Sequence, residues 1–162
     1  MGTGTQAGGR MKNMENAEYF EMMRAGEGLP ALTDVPLDDL PRGVRTLAQH
    51  IGLPAALALV EGFGGLTLRI AHGSRARGQA MLERLAAKVG SAAASRLARE
   101  YGATQLYIPN CKTALLKVRN RQLIADRTAL AAEGLSERSI VQCLSLRYGI
   151  SDRHIWDLLK RT

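Results

Sequence analysis

The side chains best suited to chemistry lie near the carboxyl end, in "YGISDRHIWDLLKR", residues 148–161. Ser151 is placed to cap a helix N-terminus, and Asp152 complements the positive end of that helix. At about 100° per residue, Ile155, Leu158 and Leu159 share an inward stripe. Arg153, Asp157 and Lys160 then face the opposite way, flanked by His154, Trp156 and Arg161. A helix anchored by aliphatics and displaying cations suits a polyanion. Its capped end offers N–H groups to a phosphate, and a guanidinium near that end can fork onto a guanine edge. Ser151, Asp152, Arg153, His154, Trp156, Asp157 and Lys160 are therefore candidate DNA-contacting residues, with Trp156 divided between that role and half-buried packing.

No second chemistry competes. His50, His72 and His154 are scattered, and no HExxH, GxSxG or Walker loop occurs. "GFGG" precedes a strand pattern where a phosphate cradle would follow one. Cys111 and Cys143 show neither CxxC nor ligand spacing, and Cys143 sits in an apolar pattern as a small hydrophobe. The expectation is a protein that is not an enzyme, with no cofactor and no metal.

A reading helix needs a platform. Ser136 is a good N-cap for the preceding helix, with Glu137 at its positive end and Ile140, Val141, Leu144 and Tyr148 on its inner face. Gly149 supplies a left-handed turn, Ile150 packs in it, and Ser145 is small where two helices approach. Two short helices joined by such a turn follow the grammar of a helix-turn-helix. Before them, a helix predicted from about Arg119 to Glu133 carries Leu123, Ile124, Leu130 and Ala131 as a buried stripe, and Gly134 stops it.

Further upstream the chain repeats itself. Residues 44–70 align without a gap on residues 38 positions later. Leu47/Leu85, Ala48/Ala86, Gly52/Gly90, Ala55/Ala93, Ala56/Ala94, Leu59/Leu97, Gly64/Gly102, Leu68/Leu106 and Ile70/Ile108 are identical, which is nine of twenty-seven positions. Each copy reads as an amphipathic helix ending at a Gly, a second helix ending at an aromatic, and a short strand. Val44, Leu47, Ala48 and Ile51 recur as one helix face. Gly64 and Gly102 are expected in left-handed C-terminal positions. Leu68 and Ile70, or Leu106 and Ile108, point one way along the strand; Arg69 or Tyr107 points the other. One such unit cannot bury its apolar face or pair its strand alone.

The remaining features set bounds. The chain has 162 residues, 46% of them hydrophobic but only 4% aromatic, so its core is aliphatic. Residues 1–40 carry three basic and seven acidic side chains, residues 41–110 nine and three, and residues 111–162 ten and five. The blocks of −4, +6 and +5 sum to the net +7, and a basic body suggests a polyanionic partner. No apolar run approaches the ~18–20 residues that cross a bilayer, and a cytoplasmic location is expected. "MGTGTQAGGR" predicts no fixed structure. "MENAEYFEMMRAG" predicts a short helix closed by Gly26, with Tyr19, Phe20, Met22 and Met23 for packing. "LPALTDVPLDDLP" reads as a linker with apolar anchors, and "HGSRARG" as a basic loop joining the copies.

The fold class expected is mainly α: a helical dimerisation-type bundle with short β-strands, built from the duplicated helix-helix-strand unit, then a C-terminal helix-turn-helix. The divisions are an acidic arm and linker (1–40), the first copy and basic loop (41–78), the second copy (79–110) and the DNA-binding domain (111–162).

The order of helix pair, Gly turn, "QLYIP" (Gln105 to Pro109), "RNRQLIAD" (Arg119 to Asp126) and helix-turn-helix resembles the Mor/C transcription activators of Mu-like phages and prophages, over roughly residues 80–162. That resemblance implies a dimer of intertwined helices with strands paired between protomers. It also implies two helix-turn-helix units on a dyad-symmetric promoter and recruitment of host RNA polymerase. It assigns DNA contact to Gln105 and Tyr107, a flexing turn to Gly102, and the recognition helix to Ser151–Lys160. Two departures stand out. Gly102-Ala103 replaces the family's usual Gly-Gly, and that pair occurs instead in the first copy, as Gly64-Gly65. The first copy in turn lacks the Tyr and Pro, reading "LTLRIA". Gly102, Gly64 and Gly65 are accordingly the candidate hinge residues. Operator symmetry points to a homodimer through copy two; the duplication points to copy one as an internal partner, an intrachain pseudodimer. A protein-interaction module that antagonises a related regulator by pairing is the alternative function.

Overall fold

The computed structural model describes residues 29–72 and 74–162. The unstructured opening and the helix expected before Gly26 lie outside the described residues. The fold is mainly α, with one small antiparallel sheet. Among the described residues, no helix is long and apolar enough to cross a membrane. Residues 31–115 and residues 116–162 form separate compact units.

In the first unit, α1 (Arg42–Ile51), α2 (Leu53–Phe63) and β1 (Thr67–Arg69) make copy one. α3 (Ala76–Val89), α4 (Ser91–Tyr101) and β2 (Gln105–Tyr107) make copy two. A shift of 38 carries α2 onto α4 and β1 onto β2, end for end. The backbone repeats as well. Gly52 (φ 85°, ψ 153°) and Gly90 (φ 90°, ψ 156°) break each helix pair in the same conformation. Three of the identical apolar pairs form the centre of the core: Leu47, Leu85, Leu59, Leu97, Ile70 and Ile108 are all 2% exposed or less. Each fully buried side chain of this size is worth roughly 1.5–3 kcal/mol.

The two copies supply each other's missing half. α2 packs on α3 and α1 on α4, while β1 pairs antiparallel with β2. The register sets Thr67 opposite Tyr107, Leu68 opposite Leu106 and Arg69 opposite Gln105. Leu68 and Leu106 are themselves equivalent, so a pseudo-two-fold axis runs through their pair. Leu68, Ile70 and Ile108 are buried while Arg69 and Tyr107 are exposed, as the alternation requires.

Four expectations need correction. The left-handed residues are Gly65 (φ 86°) and Ala103 (φ 64°), each one position after the predicted Gly. Gly64 and Gly102 keep φ at −55° and serve a different need, close approach. A Cβ on Gly64 would meet the Val60 carbonyl oxygen at 2.6 Å, and one on Gly102 the Ala98 carbonyl oxygen at 2.3 Å. Next, the helix predicted from Arg119 begins at Lys112. This is α5 (Lys112–Ala132), whose first N–H is taken by the Asn110 side-chain oxygen at 3.2 Å; nothing in "KTALLKV" opposes helix. Ala131 is exposed, because the stripe of Leu123 and Leu130 has turned past it. Lastly, the basic loop is shorter than expected, since Ala76, Arg77 and Gly78 already belong to α3.

Residues 29–41 carry apolar anchors, but two 3-10 turns, Leu32–Asp34 and Leu37–Asp39, give the stretch shape, and from Ala31 onward it belongs to the first compact unit and not to a free linker. Leu32, Val35 and Leu40 are buried, and the Leu32 turn rests on α2.

Candidate nucleic-acid interface

The second unit holds α5 from Leu116 onward, α6 (Glu137–Tyr148) and α7 (Asp152–Lys160). Leu123 and Leu130 of α5 share one core with Ile140, Val141, Cys143, Leu144 and Tyr148 of α6 and with Ile155 of α7. Leu135, Ile150, Leu158 and Leu159 pack around it. Cys143 is thus the small buried hydrophobe its pattern implied.

Each boundary has a local cause. Gly134 turns left-handed after α5 (φ 89°). Ser136 caps α6 by accepting the Ser139 N–H at 3.3 Å. Gly149 is left-handed (φ 63°, ψ 31°), and a Cβ there would meet no neighbour within 4 Å, so the turn needs glycine for its dihedral angle and not for space. Ser151 caps α7 by accepting the His154 N–H at 3.3 Å, and the Asp152 carboxylate accepts the Arg153 N–H at 2.7 Å.

Four further contacts tie together α5, α6 and the turn before α7, and local sequence reading did not find them. Ser145 Oγ donates to the Ile150 carbonyl at 2.6 Å, tying α6 to the turn. The small residue is there for its hydroxyl as well as its size. Tyr148 Oη donates to Asp126 at 2.6 Å, and Arg147 Nε lies 3.3 Å from the same carboxylate. Burial, then the Asp126 bond and charge, push the Tyr148 phenol well above its ordinary range. Arg127 pairs with Glu137, joining α5 to the start of α6. The partners of the two ion pairs are separated by 10 and 21 residues, beyond any helical spacing rule.

Helix α7 buries Ile155 fully and half-buries Leu158 and Leu159, while Ser151, Asp152, Arg153, His154, Asp157, Lys160 and Arg161 are exposed. Trp156 is 38% exposed. All seven candidate residues of this segment therefore lie together on the cap and free side of one helix. Gln105 and Tyr107 are in the other unit, on the outer face of the β1–β2 ribbon, both exposed. Thr67 and Arg69 of copy one complete that face. Gly64, Gly65 and Gly102 lie at the two bends that lead into the ribbon.

The model of the Mor transcription activator family matches residues 69–162, more than half of the chain. The chain belongs to the Mor transcription activator family. No curated protein and no solved structure matches. The Mor match begins at Arg69, so it takes in copy two and the three-helix unit and leaves α1 and α2 outside. Membership makes the chain a member of a family of transcription regulators.

Proposed function

We propose that this Mor-family chain is a sequence-specific DNA-binding activator. In this reading α7 enters the major groove of a phage or prophage promoter in the cytoplasm, and the bound chain recruits host RNA polymerase. The observation that carries it is the free side of α7. Arg153 and Lys160 are solvent-exposed on a capped helix whose opposite side is locked by Ile155. Affinity comes chiefly from phosphate contacts, helped by the N–H groups at the capped end, and falls steeply with salt. Discrimination comes from base-edge contacts, Arg153 foremost. Gln105 and Tyr107 make a second contact from the ribbon.

Selection of binding sites from a random duplex pool tests this. Arg153→Ala is expected to relax preference at one base position by about 1–3 kcal/mol while leaving the rest of the site intact. Unchanged discrimination would contradict the role of Arg153, and failure of the unaltered chain to prefer any duplex over bulk DNA would contradict the function.

A further inference from the structure

The backbone pairing of the two copies is reciprocal at the ribbon. Gly65 N–H donates to the Ile108 carbonyl at 2.6 Å, and its equivalent Ala103 N–H donates to Ile70 at 2.7 Å. Ile108 N–H donates to Leu66 at 2.9 Å, and Ile70 N–H to Thr104 at 3.0 Å. Beyond the ribbon, Asn110 covers Gly64 as His72 covers Gly102. His50 of α1 reaches Glu100 of α4, as Lys88 of α3 reaches Gly62 of α2. These are the contacts of a two-fold dimer, made within one chain.

Two consequences follow from covalent connection. Residues 70–75 are the whole tether between β1 and α3, and a tether that short holds one copy near the other at an effective concentration on the order of millimolar. A separate chain must outcompete that to reach the same surface. In addition, the three-helix unit follows copy two alone, because copy one runs on into α3. One completed bundle therefore carries one α7.

The outer ribbon face breaks the symmetry that the backbone keeps. Arg69 stands where the pseudo-two-fold axis would place a second Tyr107, and Thr67 where it would place a second Gln105. Arg69 is the one charged side chain of those four, exposed and able to reach a phosphate or a groove.

We propose that copy one is a built-in partner, so that a single chain is the working species and engages an asymmetric DNA site, with Arg69 supplying a contact from the copy-one half of the ribbon. The second part rests on the DNA-binding function proposed above; the first does not.

The test joins two measurements on the full chain: mass by light scattering across micromolar concentrations, and titration of a selected duplex well above its dissociation constant. The expected results are the mass of one chain and saturation at one chain per duplex. A concentration-dependent two-chain mass, including a swapped dimer, would overturn the built-in partner. Two chains on a dyad-symmetric site would overturn the asymmetric one. Absence of any preferred duplex overturns the DNA-binding reading and the asymmetric site with it, while the mass still judges the partner. Arg69→Ala is expected to keep the single-chain mass, weaken binding several-fold and lower the log–log salt slope by about one. An unchanged slope removes Arg69 from the interface.

Discussion

Copy one and copy two share a backbone but not a set of obligations. Both bury the equivalent pairs Leu47/Leu85, Leu59/Leu97 and Ile70/Ile108, and both bend into the ribbon through a glycine that has no room for a Cβ. Away from the shared core they diverge. Copy one has the Leu32 turn of the preceding segment packed on its α2, and its Val44 is fully buried, while the equivalent Leu82 of copy two is only partly so. Copy two carries Gln105, Tyr107 and the three-helix unit, and the Mor match covers it without α1 and α2. The difference teaches that packing constrains the half of each unit facing the axis, while the outward half is open to change. A scaffold can therefore be doubled while only one half keeps the reading apparatus.

The comparison can be broken most forcefully at the core. Leu59→Ala and Leu97→Ala remove equivalent, fully buried side chains and are each expected to cost about 2–5 kcal/mol in denaturant unfolding of the bundle. If copy one merely decorated copy two, Leu59→Ala would leave the main transition unmoved. Next come the tight glycines. Gly102→Ala and Gly64→Ala force a methyl against a backbone carbonyl and should each cost about 1–3 kcal/mol, seen as a lowered denaturation midpoint. Alanine tolerated at one and not the other would show that the two bends are not equivalent.

An alkaline titration sharpens the contrast, because Tyr101 of copy two is Phe63 in copy one. Burial, and then the charge of Glu100, raise the Tyr101 phenol above its ordinary value of 10.0. The folded state thus favours the neutral phenol. That contribution is fully present below about pH 10 and is lost as pH rises through the folded value. Tyr101→Phe should leave stability near neutral pH almost unchanged and make its decline above pH 10 shallower, followed by denaturant unfolding at each pH. The smallest effect is expected at the left-handed residue. Ala103→Gly restores the chemistry of Gly65 and should stabilise the bundle by up to about 1 kcal/mol, whereas Gly65→Ala should destabilise it by about 1 kcal/mol.

Much of this was legible in the sequence, because it is written at fixed short spacings. The offset of 38, the strand alternation, the Ser136 and Ser151 caps, Gly149 and the outward side of α7 all depend on neighbours within a turn or on one constant shift. Ala103 was hidden because a β-carbon is not expected at positive φ, and here the reciprocal hydrogen bond to Ile70 holds it there. The early start of α5 was hidden because its first N–H is satisfied from Asn110, a side chain just outside the helix. The tie of Tyr148 to Asp126 joins residues 22 apart on two helices, and no periodicity predicts it. Whether two matching copies pair within a chain or between chains is a matter of tether and register, which composition does not carry.

The ribbon offers the most direct test of the internal pairing. Hydrogen bonds at Leu66–Ile108 and Ile70–Thr104 leave Thr67 and Tyr107 as a close, non-hydrogen-bonded pair with both side chains exposed. With Thr67→Cys and Tyr107→Cys combined, mild oxidation at micromolar protein should give a product that runs as one chain on a non-reducing gel and unfolds at higher denaturant than its reduced form. A disulfide-linked two-chain product as the main species would contradict copy one as the partner of copy two.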